Sequence, residues 1–539
     1  MDGKINNLRN TIILCSILLA GFALRSYNLN SPPIGYHNMK ENEYLSMAQE
    51  MIRTNDYTKR RIYFYRAFEK EPTMKIYPQP PLVSYQTLIV WKLLGENIWG
   101  ARLLNVFFGV ASILVIYFVG LILFKDNVLS LFCAFLLAIM PLAVFFSRNL
   151  QPESPAFFFM LLGNLFYLKY AASLKKRNLI LGGIALSVSW LYKFSFLIGL
   201  FPFAFCFPLK TLFREKKGLF KFFLAFILPY SIIILAIIWL KYIGQWEFEE
   251  LQRIKLWEIF TFSYWEKYGR AIWWYTKGEN FTIVYIVLTL SGIAITSFRR
   301  KQLINRYILG WTLAIVPYSM VFSDYINQHN YYQMPFLILI CVSSVYAISH
   351  IPEIITVKNI VKKYFLLFVI IAAGGISLPS VHSSISRMYG TVFLGLDVAG
   401  DSLRELTNQD ERIFLLTHAQ GQGIARYARR YTGWTDDLED FKGKEKRFNI
   451  KYICFYPAEF ALALKAKNPP LFNHIQNSYH VKEVGLVEEP NNIFYIILEK
   501  GEGSDPNTFL QSFGGIRQLR TIYRVLNKYV FFYSLRQQK

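Results

Sequence analysis

The sequence predicts a mainly α, polytopic transmembrane domain over residues 1–380, followed by a small α/β domain over 381–539. Three observations lead there. Of the 539 residues, 53% are hydrophobic and 17% aromatic. Apolar runs of membrane-spanning length, about 20 residues, recur down the first two thirds of the chain. The Lys and Arg behind the net charge of +23 gather in short clusters between those runs, a pattern explained by the positive-inside rule and anionic lipid rather than by nucleic acid.

Along the chain, the first apolar run follows Lys4 and Arg9, has no small-x-small cleavage site and leads into Arg25, so it reads as an uncleaved span. The candidate spans are 9–26, 101–124, 128–147, 154–173, 178–192, 194–210, 219–243, 281–298, 304–322, 334–350 and 364–380, about eleven in all. With the N-terminus cytoplasmic, the basic connections at Lys125, Lys169 to Arg177, Lys210 to Lys221, Arg299 to Lys301 and Lys358 to Lys363 fall inside. The loop 27–100, the turn "SRNLQPES", the segment 244–280, the turn "SDYINQHNYYQ" and everything after 380 fall on the extracytoplasmic face of an inner or plasma membrane. The fifth and sixth spans are short and separated only by Lys193.

After 380 the pattern changes. Charged helical stretches alternate with strand-like runs, "RIFLLTH", "YICFYP" and "IFYIILEK", between turn signals such as "NPP" and "EEPNN". The last 25 residues are basic and aromatic at helical spacing and read as an interfacial helix, because charges recur too often for a span. Four of the five cysteines lie in apolar runs and Cys454 stands alone, so no disulfide framework or CxxC metal site emerges.

The polar motifs of the outer side carry the candidate chemistry. In "PPIGYHNMKENEYLSMAQEM", Tyr44, Met47, Ala48 and Met51 have i, i+3, i+4, i+7 spacing, which predicts an amphipathic helix on the membrane surface with His37, Lys40, Glu41 and Glu43 at its mouth. Glu41 and Glu43 read either as first-turn acids favoured by the helix dipole or as reactive carboxylates. "KIYPQPPLVSYQ" has prolines at 78, 80 and 81 that stiffen the approach to a second surface helix and hold Lys75, Tyr77 and Gln79. "FFSRNLQPESPAFFF" sets Arg148, Gln151 and Glu153 at the mouth of the third and fourth spans, as helix caps or as a functional set. "DYINQHNYYQMP" brings His329, Tyr331 and Tyr332 to an outer turn, where tyrosines also serve an aromatic belt.

Together "GYHNMKENEYLSMAQEM", "PQPPLVSYQ", "GARLLN", "SRNLQPE" and "HNYYQMP" resemble, in this order over roughly 10–350, the bacterial glycosyltransferases of the C-type (GT-C) fold related to protein O-mannosyltransferases and to aminoarabinose transferases of lipid A. The resemblance implies transfer of a sugar from a polyprenyl-phosphate donor to a lipid, glycan or protein acceptor on the extracytoplasmic side. It places the family's first-loop Asp, Glu and Tyr on Lys40, Glu41 and Tyr44, its second outer acid on Glu153 and its Lys before "PPL" on Gln79. Lys40 and Gln79 are departures from that pattern.

Displacing a sugar from a lipid phosphate needs a carboxylate to take the acceptor's proton and cations to stabilise the leaving phosphate. Glu41 is the expected base, with Glu43 in reserve. Lys40, Arg148 and Lys193 are the candidate phosphate partners, followed by Arg102. Tyr331 and Tyr332 serve as hydrogen-bond donors or stacking faces, and Glu153 orients the acceptor or joins Glu41 in holding a divalent cation. The rival readings are a transporter or flippase, disfavoured because polar sets gather at one face and not at the midplane, and an inactive lipid-binding relative.

Overall fold

The computed structural model describes residues 2–64, 80–207, 217–223, 227–244, 258–298, 302–355, 359–417, 420–487, 492–503 and 516–537. The chain forms two compact units, one of Met1–Asn30, Ile76–Val83 and Leu94–Arg387, the other of Ser31–Lys75, Ser84–Leu93 and Met388–Lys539.

The first unit is helical and makes the chain a polytopic membrane protein. Among the described residues, five helices are long and apolar enough to cross a bilayer: Leu8–Arg25, Ile98–Phe124, Glu153–Ser173, Phe336–Glu353 and Tyr364–Gly390. Two bent pairs, Asn127–Ile139 with Pro141–Arg148 (58°) and Phe262–Asn280 with Ile283–Ser297 (106°), raise the number to seven at most. The expected eleven spans are therefore overturned. The run 178–192 forms a helix of 17 residues, Lys176–Tyr192, and 194–210 starts as the 3-10 helix Phe194–Leu200 before the single turn Phe203–Cys206. Among the described residues of 219–243 the longest helix is Leu228–Tyr242, of 15 residues, and Leu303–Val321 carries Asn305, Arg306 and an internal Pro317. Each falls short of a full crossing in length or polarity, although Leu228–Tyr242 still exposes Ile234, Leu235 and Ile238.

Local chemistry sets the helix ends. Asn97 caps Ile98–Phe124 by accepting from Gly100 N (2.7 Å), and Asp126 caps the next helix by accepting from Leu129 N (2.9 Å). Pro141 forces Met140 into the extended region and so bends the helix there. Gly292 allows the helix Ile283–Phe298 to lie against Phe336–Ile354, since a Cβ would stand 2.2 Å from the Ser343 carbonyl oxygen. Ser343 Oγ and Ser344 Oγ donate across the same contact to Thr289 O and Tyr285 O.

The second unit is built on an open seven-stranded sheet of order β2-β1-β3-β5-β4-β7-β6. The strands are β1 (Ile413–Thr417), β2 (Thr432–Gly433), β3 (Tyr452–Tyr456), β4 (Tyr479–Val487), β5 (Asn492–Lys500), β6 (Ile516–Val525) and β7 (Lys528–Arg536). β1 is parallel to β2 and β3, and all other pairs are antiparallel. The three strand-like runs of the sequence fall on β1, β3 and β5. One face buries Leu415, Cys454, Ile497 and Phe532, and the other buries Phe414, Ile453, Phe455 and Val484.

The expected interfacial helix at the C-terminal end is instead the β6–β7 hairpin, closed by a two-residue turn with Leu526 at φ +54° between the paired Val525 and Lys528. Arg517, Arg520 and Arg524 follow one another at spacings of three and four, which imitates a helical period in the sequence, and a register shift between Leu519 and Thr521 accommodates them in a strand. Segment 31–64 belongs to the same unit. Thr432 N donates to Tyr63 O (2.7 Å) in a parallel bridge between Phe64 and Thr432, and Gly35 bridges Val392.

Candidate active site

In the first unit the site grows from two helix ends. Glu153 opens the helix Glu153–Ser173 behind Pro152, and Lys193 follows the helix Lys176–Tyr192 in extended conformation. Their side chains meet, Lys193 Nζ to Glu153 Oε1 at 2.5 Å, with 6% and 1% of the two residues exposed. Tyr331 and Tyr332 lie on the 3-10 turn Asn330–Gln333 and offer their faces to the same ammonium, at 4.2 and 4.0 Å from the ring centroids. His329 stacks on Tyr331 (5.1 Å, 9°). Glu153 Oε2 is buried and has no hydrogen-bond partner among the described residues. The pair is neutral as a whole, so an anion reaching Lys193 has to compete with Glu153 for the ammonium.

The aromatic turn is pinned by residues the sequence did not single out. Asn280 Nδ2 donates to Asn330 O (3.0 Å) and to Gln333 Oε1 (2.9 Å), Asn330 Nδ2 donates to Glu279 Oε2 (3.0 Å), and Tyr318 OH donates to Tyr332 O (2.8 Å). The one available signal was the polar "GEN" at 278–280, just ahead of an apolar helix. Arg148 and Arg102 are also buried. Each donates to a carbonyl beyond the first helix, Arg148 to Asn28 O (2.7 Å) and Arg102 to Leu29 O (2.8 Å), which clamps that segment. Asn105 Nδ2 fixes the turn before Glu153 through Asn149 O and Gln151 O.

In the second unit, the helix Asn38–Thr54 begins after His37, which takes a left-handed φ of +58° and packs against Tyr36 with the rings tilted by 47°. The expected surface helix is instead buried on both its apolar and its polar sides: Met47, Ala48 and Met51 are covered, and so are Glu41, Asn42, Glu43, Gln49 and Glu50. Lys40 Nζ pairs with Glu43 Oε2 (3.0 Å), while Glu43 Oε1 is buried without a hydrogen-bond partner among the described residues. Asn42, next to Glu41, donates to Pro33 O (2.6 Å) and accepts from Arg426 Nε (2.6 Å), and Asn38 Nδ2 donates to Gln420 Oε1 (2.8 Å). At the far end Glu50 receives a two-pronged contact from Arg53 (2.7 Å each) and a hydrogen bond from Tyr431 OH (2.8 Å). Burial opposes the charge on Glu50, but hydrogen bonds from Arg53, Tyr431 and Tyr63 outweigh it and hold the carboxyl below its ordinary range.

Lys75 and Gln79 lie outside the described residues. The others fall into two sets, Glu153, Lys193, His329, Tyr331, Tyr332, Arg102 and Arg148 in the first unit, and His37, Lys40, Glu41 and Glu43 in the second. For the divalent cation left open by the sequence, no group of three or more His, Cys, Asp or Glu is arranged to hold a metal among the described residues.

The fold is that of the C-type membrane glycosyltransferases. Residues 78–240 match the family model described as dolichyl-phosphate-mannose-protein mannosyltransferase. Among solved structures, the chain is similar to the oligosaccharyltransferase AglB of Archaeoglobus fulgidus in complex with an inhibitory peptide and a dolichol-phosphate, at 13% identity and TM-score 0.58, over 91% of this chain and 74% of that one. It is also similar to ArnT of Cupriavidus metallidurans bound to undecaprenyl phosphate, at 15% identity and TM-score 0.50, over 90% and 97% of the two chains. Among curated protein sequences none matches it.

Proposed function

We propose that the chain is a membrane glycosyltransferase that takes a sugar from a polyprenyl-phosphate donor and transfers it to a lipid, glycan or protein acceptor on the extracytoplasmic face. The observation that carries this reading is the buried Glu153–Lys193 pair under Tyr331 and Tyr332, a dry, charged and aromatic setting at the end of an apolar helix. Two fold relatives, one in complex with a dolichol-phosphate and one bound to undecaprenyl phosphate, support the choice of donor. In this reading Glu41 accepts the proton of the acceptor hydroxyl as its oxygen attacks the anomeric carbon, and the sugar–phosphate bond breaks with its electrons on the leaving phosphate. Lys40, Arg148 and Lys193, followed by Arg102, are the groups assigned to the phosphate. Tyr331, Tyr332 and His329 offer stacking faces to the sugar, and Glu43 and Glu153 hold Lys40 and Lys193 in place.

The test uses purified protein in detergent with a panel of undecaprenyl-phosphate sugars and an envelope lipid extract as acceptor. Release of undecaprenyl phosphate from at least one donor is expected. Passage of lipid-linked sugar across sealed vesicles, with no glycosidic product from any donor, would establish transport instead. The orientation belongs to the same proposal: the N-terminus is cytoplasmic, because basic clusters such as Lys175 to Arg177 mark the inner side. A reporter fused after Lys176 then reads cytoplasmic, and one fused after Tyr389 reads extracytoplasmic.

A further inference from the structure

The β6–β7 hairpin closes one end of the sheet, and its two faces differ. Tyr523 and Phe532 point into the core on one side. On the other, the helices Phe460–Lys467 and Pro469–Ser478 pack on β1, β3 and β4, and beyond them the hairpin carries exposed side chains. The pairing Ile522 with Phe531, Arg524 with Tyr529 and Leu519 with Tyr533 puts these residues on that open face. Leu519, Ile522, Tyr529 and Phe531 are 46%, 49%, 66% and 45% exposed. Residues 516–537 contain five Arg or Lys and no Asp or Glu. Arg520 and Arg536 pair with Glu405, and Arg536 also with Glu483, whereas Arg517, Arg524 and Lys528 are exposed.

We propose that this open face of the β6–β7 hairpin is a docking surface for anionic phospholipid. Tyr and Phe beside aliphatic side chains, edged by Arg and Lys, are the mixture that settles at the boundary between headgroups and acyl chains. A soluble partner would leave the apolar half exposed whenever it dissociated. A membrane, by contrast, is the standing environment of a chain that has at least five apolar spanning helices among its described residues. The basic edge selects anionic over zwitterionic headgroups, each cation strengthening the association roughly fivefold near a charged leaflet.

The experiment places a nitroxide label in the full-length protein, with Cys15 changed to Ser, at Phe531→Cys and, as a control, at Lys446→Cys on an exposed helix turn. Both variants are reconstituted in nanodiscs with and without phosphatidylglycerol, and elution profile and melting temperature confirm the fold. With phosphatidylglycerol, the label at 531 is expected to gain oxygen access and lose access to a water-soluble nickel chelate, while the label at 446 stays water-exposed. Replacing Arg517, Arg524 and Lys528 together by Gln should weaken docking about a hundredfold and return the label at 531 to water. Three outcomes overturn the proposal: equal nickel access at 531 and 446, lipid contact that ignores phosphatidylglycerol and the triple substitution, or an immobilised label shielded from both reagents, which would mean a protein cover.

Discussion

Arg426 Nε lies 2.6 Å from Asn42 Oδ1, a hydrogen bond between side chains 384 positions apart in the chain. Asn42 is fully buried and sits beside Glu41, so a residue of the C-terminal sheet region holds the helix that carries the proposed base. Arg426→Ala leaves the Asn42 oxygen unsatisfied, at a cost of about 1–3 kcal/mol. The expected result is a lower melting temperature together with reduced turnover, with partial rescue by Arg426→Lys. Unchanged turnover in a destabilised variant would separate this contact from Glu41.

Glu41→Gln keeps the shape of the side chain and removes the base. Turnover with a responsive prenyl-phosphate sugar is expected to fall by about two orders of magnitude or more, at unchanged melting temperature. If Glu43→Gln is the inactive variant instead, the base lies two residues further along the helix.

Lys193→Ala strands the Glu153 charge in a buried site, and losing one partner of such a pair costs about 3–5 kcal/mol. Removing both partners in Glu153→Gln/Lys193→Met should restore much of the stability while leaving the transferase inactive. A double-mutant cycle on denaturation midpoints reads the coupling, and additive losses would show that the pair is not held as a unit.

Asp397 gives a pH dependence. Burial pushes its carboxyl up to about 6, against the opposing hydrogen bond from Tyr523. Because the folded state binds the proton more tightly than the unfolded chain, this group stabilises the protein below the ordinary carboxylate range, and that contribution is lost as pH rises through about 6. Asp397→Asn is therefore expected to match the parent at pH near 4 and to exceed it above pH near 7 by up to roughly 3 kcal/mol. Melting curves across that window check the sign, and a variant equally destabilised at every pH would contradict it.

The strands β1, β3 and β5 were legible because each is a short apolar run between turn residues. The number of spans was not. A hydropathy pattern registers apolarity, and the helices Lys176–Tyr192 and Leu228–Tyr242 are apolar at less than bilayer length. The hairpin misled for a different reason, since its arginines stand at helical spacing in sequence and the register shift that fits them into a strand leaves no local signal. At the site, Glu153 was marked by standing at the head of an apolar helix. Its partner Lys193 lies 40 positions away, and no local pattern announces that pairing.

The bridge between Tyr63 and Thr432 also sets a timetable for biosynthesis. The Thr432 hydroxyl that bonds Tyr63 is made 369 residues later. At about 5–20 residues per second of translation, segment 31–64 waits roughly 20–70 s for its sheet partner. During that interval Ile34 and Tyr63, which end up buried, face solvent, and the nascent loop is a target for proteases and chaperones until the ribosome has finished the sheet.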